Sequence, residues 1–443
     1  MPASLIRPRS LQADVDSLRR GEVGLHEYVD ELCDRIEQVD PQIRAYVDEP
    51  DRRARLRAEA DALTKRWPQP AQRPSLFGAA VAVKDIMRVD GLPTRAGSEV
   101  PPELLNGDQA VIVSRLRAAG ALVVGKTVTA EFAGSAPGRT LNPHDLSRSP
   151  GGSSSGSAAA VAAGLCTLSL GTQTIGSVIR PAAFCGIAGC KPTYGRITVE
   201  GVIAHSPSFD TLGIFAADVE SMSVAAGVVW DDWTAVTAET SETADSGSTS
   251  SATLGVPSGR FLDQVDADAL RSFDDDCARL RAAGHQVVEV DVLPGLEEVI
   301  RNNLVINRYE FARTHADWFD RHRSGYRDKT ARSIEDGRAI APAEYHASLR
   351  HLASFRLRLD ELLESLGVSA LVTPAATGAA PVGIETTGNP AMALPWTYAG
   401  LPAASLPAGQ AKNGMPLGIQ LVGRRGEDEA LVALAAQVAA ALA

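Results

Sequence analysis

Aromatic residues are scarce in this chain of 443 residues, since Phe, Trp and Tyr together make up 5% of it. Cysteine is also rare, and the five cysteines are scattered without the paired spacing of a zinc site or a disulfide framework. No apolar run reaches the length of a membrane-spanning helix, and the N-terminal residues lack the apolar core of a signal peptide. We therefore expect a cytoplasmic protein with reduced thiols and no membrane partner.

An excess of basic residues is lacking as well. The chain has 54 acidic and 43 basic residues and a formal net charge of −11 at pH 7. Such a charge disfavours binding to nucleic acid or to anionic lipid, although solubility alone would also explain it. A hydrophobic content of 44% with 22% charged residues is typical of a globular protein with a large core. We expect no nucleic acid partner.

The order of apolar and polar segments predicts an alternation of helices and strands. Helical spacing marks an N-terminal helical segment within residues 1–70, and a polar, low-complexity loop is predicted at 235–252. Residues 297–365 form a helical insertion whose aromatic residues either pack in the core or cap a pocket. Short apolar strands are predicted at residues 79–83, 121–124, 168–170, 254–256, 286–292, 370–373 and 416–422.

The most distinctive stretch covers residues 151–192. It contains two clusters of glycine and serine, GGSSSGS at 151–157 and GTQTIGS at 171–177. Glycines beside serines leave backbone N–H groups and hydroxyls unobstructed by bulky side chains. Nucleophilic attack and the stabilisation of an oxyanion need these two kinds of group. We therefore expect the functional site here.

Two familiar motifs, one upstream of this stretch and one within it, are accidental matches. The run GALVVGKT at 120–127 fits the phosphate-binding loop, but a helix precedes it and four apolar residues fill its middle. A helix, turn and strand are therefore predicted instead. The run GSSSG at 152–156 fits the nucleophile elbow of α/β-hydrolases, which requires a buried strand directly before it. The preceding LNPHDLSRSP is polar and rich in proline, so this match is rejected too.

Three segments in order resemble the amidase signature family of serine hydrolases. They are VAVKD at 81–85, GGSSSGS at 151–157 and GTQTIGSVIRPAAFCGIAGCKPTYG at 171–195. GNPAMALPWTYAGLPAASLP at 388–407 is similar to the C-terminal half of that family. The resemblance runs from about residue 75 to the end. It implies a single α/β domain over residues 1–443, with a three-layer α/β/α architecture and a mixed, twisted sheet covered by helices on both faces.

The resemblance also implies the catalytic residues. Ser177 matches the nucleophile, Ser153 matches a bridging serine in a cis peptide, and Lys84 matches the lysine that begins the proton relay. A buried lysine is a reasonable base because burial disfavours its ammonium form. None of the eight histidines stands beside a serine cluster. The oxyanion hole would be formed by the backbone N–H groups of Thr174, Ile175, Gly176 and Ser177, and no metal or organic cofactor is required.

Two linked positions depart from the common family pattern G-[ST]-D-T-G-G-S-I-R. Gln173 replaces the aspartate and Ile179 replaces the arginine, while an arginine follows one position later as Arg180. This version resembles a malonamidase-like branch in which the shifted arginine binds a substrate carboxylate. Arg180 is therefore either a substrate-binding residue or a structural arginine paired with an acid elsewhere. Other expected substrate-binding elements are Gly152, Trp396 and the segments 134–140 and 305–330.

The expected function is the hydrolysis of a carboxamide or a related bond in an anilide, ester or carbamate, through an acyl-enzyme on Ser177. Such an enzyme would act as a monomer or homodimer on a small molecule. The alternative is the glutaminase (A) subunit of a tRNA-dependent amidotransferase, against which the missing aspartate–arginine pair counts. A catalytically inactive binding protein is disfavoured because Lys84, Ser153 and Ser177 are all present.

Overall fold

The computed structural model describes residues 4–234 and 251–443, and ten strands lie within these ranges. The low-complexity loop predicted at 235–252 lies outside the described residues except for its last two. The strands are β1 (Ala80–Lys84), β2 (Leu122–Thr127), β3 (Leu168–Gln173), β4 (Ala188–Lys191), β5 (Thr211–Ala216), β6 (Thr253–Pro257), β7 (Gln286–Val290), β8 (Ala370–Pro374), β9 (Ala403–Gln410) and β10 (Pro416–Val422).

These strands form one sheet in the order β2-β1-β3-β5-β4-β9-β10-β8-β6-β7. Strand β1 pairs in parallel with β2 and β3, and β6 pairs in parallel with β7 and β8. The five central pairings from β3 to β8 are antiparallel. The expectation of a mixed sheet is confirmed.

Fourteen α-helices occur in the described part of the chain. They are α1 (Leu11–Arg20), α2 (Leu25–Ile43), α3 (Arg52–Arg66), α4 (Val111–Ala118), α5 (Ser155–Ala162), α6 (Ile179–Cys185), α7 (Val219–Val229), α8 (Ala267–Ala282), α9 (Leu296–Thr314), α10 (Ala316–His322), α11 (Asp328–Ala339), α12 (Pro342–Leu366), α13 (Leu394–Ala399) and α14 (Asp428–Leu442).

Strand β1 shows how the sheet is covered on both faces. All five of its residues are buried, which explains the unbroken apolar run AVAV. Successive side chains point to opposite faces, so Val81 and Val83 belong to a hydrophobic cluster with residues of α4, α7 and α14. Ala80 and Ala82 belong to a different cluster, with residues of α2, α3 and α5. Helices therefore cover both faces of the sheet.

Helix α5 lies directly beneath the sheet because its sequence consists of small residues. All eight of its residues are buried, and the helix contacts β1, β3 and β5. A Cβ atom added to Gly156 would lie 2.2 Å from the Ala45 carbonyl oxygen and 2.5 Å from the Val128 nitrogen. The helix could not approach so closely with a larger residue at this position. This packing holds the first serine cluster against the end of the sheet.

The observed bounds of the strands and helices test the two rejected motif matches. Strand β2 runs through the GKT of the phosphate-loop match, and its Lys126 forms a buried ion pair of 2.8 Å with Asp85. The residues before Ser153 form no named strand, as the polar composition of that segment predicts. Both rejections are confirmed.

The helical insertion predicted at 297–365 corresponds to α9 through α12. Phe311, Phe319 and Tyr326 are buried in the hydrophobic cluster that includes β1. The Phe132 ring stacks on Tyr326 with a centroid distance of 5.1 Å. These three aromatic residues therefore belong to the core, and Phe311 also lines the cavity described below. In the described ranges, no helix is both long enough and apolar enough to cross a membrane.

Candidate active site

Lys84 stands at the end of β1 and is completely buried. Its Nζ atom lies 2.7 Å from Ser153 Oγ and 2.8 Å from Thr172 Oγ1. Thr172 is near the end of β3, which runs parallel to β1, so the two strands bring both side chains to the same edge of the sheet. The ammonium or amine of Lys84 is thus held between two hydroxyls.

Burial lowers the pKa of Lys84 from 10.5 to about 7. The cause is the loss of hydration of the ammonium form, and the nearby carboxylate of Asp210 opposes it only in part. A lysine with this pKa is largely neutral just above pH 7. It can then accept a proton from the Ser153 hydroxyl.

Ser153 follows the only cis peptide bond in the described ranges, which joins it to Gly152. The preceding Gly151 has a φ of 85°, and a Cβ atom there would lie 2.9 Å from the Pro181 Cα atom. Glycine is required at Gly151 because both the backbone conformation and the close approach exclude a side chain. This turn sets Ser153 next to Lys84.

Ser177 lies between the end of β3 and the start of α6 and is 8% exposed. The side chain of Gln173 braces this segment. Its Oε1 atom accepts hydrogen bonds from the N–H groups of Val178 at 2.8 Å and Ile179 at 3.0 Å. Its Nε2 atom donates to Thr397 Oγ1 at 2.9 Å. A neutral amide both accepts and donates here, which an ionised aspartate could not do.

Both serines open into one cavity of about 310 Å³. Thr174, Ile175 and Gly176 line the same cavity, so the predicted oxyanion segment faces the space beside Ser177. Among the described residues, the Ser177 hydroxyl forms no hydrogen bond with Ser153. A larger cavity of about 640 Å³ contains neither serine. Because both serines line the smaller cavity, we take it as the candidate site.

Arg180 also lines this cavity, and it is 4% exposed. Its Nη2 atom donates to the carbonyl oxygen of Gly152 and, at 3.2 Å, to Thr387 Oγ1. Burial lowers the pKa of Arg180 to about 10, so the guanidinium is still charged at neutral pH. Within the described ranges it has no acidic partner, and its Nε and Nη1 atoms have no hydrogen-bond partner. The second role considered for Arg180, a structural ion pair with an acid elsewhere, is therefore absent from the described residues.

Asp210 is a residue of this site that the sequence reasoning missed. Its Oδ1 atom accepts a hydrogen bond of 2.6 Å from the hydroxyl of Thr174. Its Oδ2 atom accepts from the backbone N–H groups of His205 at 2.7 Å and Ser206 at 3.0 Å. Burial raises the pKa of Asp210, while the donors around it lower that pKa. Asp210 therefore ties the oxyanion segment to the loop that carries His205.

The signal for Asp210 is the register of β3 and β5. Gln173 pairs with Thr211 in that antiparallel ladder, so the residue before Thr211 meets the residue after Gln173. This pairing cannot be read from either segment alone.

The remaining predicted residues occupy different positions. Segment 134–140 reaches the cavity through Gly134 and Ser135, and segment 305–330 reaches it through five residues. Gly152 lies behind Arg180 and accepts its hydrogen bond. The structure does not bring Trp396 to the cavity, because this side chain is 1% exposed and packs edge-on against Phe261 in the core. In the described part of the chain, no three His, Cys, Asp or Glu side chains cluster as metal ligands would.

The fold and the site define a class of α/β protein in which a buried lysine and two serines meet at one edge of a mixed sheet. Comparison with known proteins agrees with this class. The family model described as Amidase matches residues 27–432. The chain belongs to the amidase family.

Curated relatives and solved structures cover nearly the whole chain. The A subunit of glutamyl-tRNA(Gln) amidotransferase from Koribacter versatilis (strain Ellin345) is 32% identical over 92% of this chain and 93% of the relative. The same subunit from Prochlorococcus marinus (strain MIT 9303) is 34% identical over 94% of each. A crystal structure of an amidase has a TM-score of 0.85 at 30% identity, covering 98% of this chain and 100% of that one.

One expectation is wrong in the light of these relatives. From the sequence we expected a monomer or homodimer that acts on a small molecule without nucleic acid. The relatives are named as subunits of an amidotransferase that acts on a glutamyl-tRNA. A net charge of −11 does not exclude such a role, because one subunit of an assembly can be acidic while another binds the RNA. The malonamidase-like branch remains a prediction.

Proposed function

We propose that this chain breaks the C–N bond of a carboxamide through an acyl-enzyme on Ser177. The observation that carries the proposal is the position of Lys84, buried with a lowered pKa and 2.7 Å from Ser153 Oγ. Ser153 and Ser177 line the same cavity, and in this proposal a proton passes from Ser177 through Ser153 to the neutral lysine.

The proposed reaction has two halves. Ser177 Oγ bonds to the amide carbon while its proton passes to Ser153, whose own proton passes to Lys84 Nζ. Backbone N–H groups of residues 174–177 stabilise the negative oxygen of the tetrahedral intermediate, and each such donor contributes roughly 3–4 kcal/mol. The C–N bond then breaks, Ser153 protonates the leaving nitrogen, and Lys84 returns a proton to Ser153. Water attacks the ester on Ser177 in the second half and releases the acid.

We propose that the carboxamide is glutamine and that the chain is the A subunit of a tRNA-dependent amidotransferase. The ammonia released from glutamine would then be the nitrogen donor for the tRNA-linked reaction. The support is the identity of 32–34% to such subunits over more than nine-tenths of the chain. The test is the conversion of glutamyl-tRNA(Gln) to glutaminyl-tRNA(Gln) by the purified native assembly with glutamine as nitrogen donor. Ser177→Ala in that assembly should abolish the reaction with glutamine but retain the reaction with added ammonia. Loss of both reactions would contradict this role for Ser177.

A second candidate is hydrolysis of another carboxamide that bears a carboxylate. The observation that favours it is Arg180, a buried guanidinium without an acidic partner among the described residues, at a cavity lined by both serines. Gln173 and Ile179 also replace the common aspartate and arginine of the family pattern. Ammonia release from succinamate, butyramide and glutamine separates the two candidates. Turnover of succinamate well above that of glutamine would favour the second, and the reverse order would favour the first.

A further inference from the structure

Helix α13 contributes a buried hydroxyl, that of Thr397, to the back of the oxyanion segment. Thr397 is 2% exposed and does not line the catalytic cavity. Its Oγ1 atom lies 2.7 Å from the Ile175 carbonyl oxygen and 3.0 Å from the Ala393 carbonyl oxygen. The Ala393 carbonyl already accepts the backbone N–H of Thr397 at 3.0 Å. The shorter contact, to Ile175, is therefore the one that needs the proton of the hydroxyl.

The direction of the Thr397 hydroxyl is set by Gln173. The Oε1 atom of Gln173 accepts the N–H groups of Val178 and Ile179, so its Nε2 atom is the end that faces Thr397, at 2.9 Å. An amide nitrogen only donates, and the Thr397 oxygen must accept this hydrogen bond. The single proton of the hydroxyl is then left for the Ile175 carbonyl. The hydrogen bonds run in one direction, from Gln173 through Thr397 to Ile175.

This hydrogen bond determines where the next backbone N–H points. The Ile175 carbonyl and the Gly176 N–H belong to one trans peptide group, in which they point in opposite directions. Thr397 holds the carbonyl towards α13, and Ile175, Gly176 and Ser177 line the cavity. The Gly176 N–H is therefore directed away from α13 and into the cavity. Within the described ranges, the N–H groups of these three residues donate to no protein acceptor, as an oxyanion hole requires.

Strand β8 contains a similar arrangement that provides an internal comparison. Thr373 is 0% exposed, and its Oγ1 atom accepts a hydrogen bond of 2.8 Å from Gln420 Nε2. The Thr373 hydroxyl donates in turn to the Pro374 carbonyl oxygen at 3.0 Å. None of these three residues lines the catalytic cavity. Thr373 and Thr397 thus share burial, a glutamine donor and a carbonyl acceptor, but only Thr397 holds a peptide group of the oxyanion segment.

We infer that Thr397 is a positioning residue for the oxyanion hole, because its hydroxyl holds the Ile175 carbonyl so that the Gly176 N–H faces the oxygen of the tetrahedral intermediate. The inference rests on the proposed function, in which Ser177 attacks an amide carbon. Thr397 itself does not contact the substrate. The negative oxygen exists only after the attack, so loss of the hydroxyl weakens the binding of the transition state and leaves the binding of the substrate nearly unchanged.

The experiment compares kcat and KM for ammonia release from glutamine or succinamate, whichever the wild-type protein cleaves. Thr397→Val replaces the hydroxyl by a methyl group, and kcat should fall about 10- to 100-fold while KM changes by less than about threefold. Thr397→Ser keeps the hydroxyl and should retain kcat within about threefold of wild type. Thr373→Val, which removes the same kind of buried hydroxyl elsewhere, should leave kcat unchanged.

A second measurement does not depend on the choice of amide. A fluorophosphonate that labels Ser177 places its phosphonyl oxygen at the same N–H groups, so Thr397→Val should slow this labelling about tenfold or more. Thr373→Val should label at the normal rate. If Thr397→Val does not fold, as judged by its thermal melt, Gln173→Glu serves in its place, because a carboxylate accepts the Thr397 proton and takes it from the Ile175 carbonyl.

Three results would overturn the inference: an unchanged kcat and labelling rate in Thr397→Val, an equal loss in Thr397→Ser, or an equal loss in Thr373→Val. Failure of the proposed function has a separate signature, since ammonia release would then be absent or would persist in Ser177→Ala. Amide cleavage that requires Ser177 but is indifferent to Thr397→Val would reject this inference alone.

Discussion

Replacing Lys84 by methionine should inactivate the protein and also stabilise it near neutral pH. The fall of the Lys84 pKa from 10.5 to about 7 corresponds, at about 1.4 kcal/mol per pH unit, to a folding cost of about 5 kcal/mol. The folded pKa is below the unfolded one, so the unfolded chain binds the extra proton between pH 7 and 10.5. The cost is therefore complete below pH 7, about 4 kcal/mol at pH 7, and absent above pH 10.5.

The methionine variant escapes this cost but leaves the hydroxyls of Ser153 and Thr172 without their partner. Those losses offset roughly 1–3 kcal/mol, so the variant should be about 1–3 kcal/mol more stable at pH 7. The assay is urea unfolding of both proteins at intervals from pH 6 to 10. The advantage of the variant should shrink by several kcal/mol as the pH rises.

The exposed Lys412 supplies a matched control, because Lys412→Met should change stability little at any of these pH values. A difference between wild type and Lys84→Met that stays constant from pH 6 to 10 would refute the reasoning. It would mean that Lys84 is not held neutral by burial.

Three further substitutions test the surroundings of the site. Asp210→Asn removes the carboxylate that raises the pKa of Lys84, so the acidic limb of the pH–rate profile should move to lower pH. The kcat should also fall about tenfold or more, because the hydrogen bond to Thr174 is weakened. An unshifted acidic limb would mean that Asp210 only supports the loop. Arg180→Ala should lower kcat/KM for succinamate by about 10- to 100-fold, because a charged hydrogen bond to its carboxylate is lost. The kcat/KM for butyramide, which has no carboxylate, should fall far less. Equal losses for the two substrates would contradict carboxylate binding. Gln173→Glu keeps the hydrogen-bond acceptor but loses the donor to Thr397, so it should lower the free energy of unfolding by about 1–3 kcal/mol in urea titrations. An unchanged free energy of unfolding would show that Gln173 does not stabilise this segment.

The sequence pattern was sufficient for most of the sheet because the buried strands are short apolar runs with clear ends. Strand β10 lies at the predicted residues 416–422, and β1 lies one residue from its prediction at 79–83. Lys84 was identified by its match to the lysine of the family motif VAVKD. The family resemblance supplied its connection to Ser153, and the structure adds the distance of 2.7 Å between them.

The site residues missed from the sequence depend on contacts between distant segments. Asp210 reaches Thr174 only through the register of β3 and β5. Asn307 belongs to the expected segment 305–330, but its contact with His205 depends on the packing of α9 against a distant loop. Trp396 illustrates the opposite error, since an aromatic residue within a matching motif proved to be a core residue. The single domain over residues 1–443 and a capping role for segment 297–365 stay predictions.

The central claim is that Lys84, acting through Ser153, activates Ser177. The most direct measurement is the rate at which a sulfonyl fluoride labels the protein, with the labelled serine identified by mass spectrometry of its peptide. The account predicts labelling at Ser177, a rate that rises with pH around a midpoint near 7, and a fall of about 100-fold or more in Lys84→Met. Lys191→Met, which removes another buried lysine at a position away from the cavity, should label at the normal rate. Labelling at another serine, or a rate unaffected by Lys84→Met, would contradict the account.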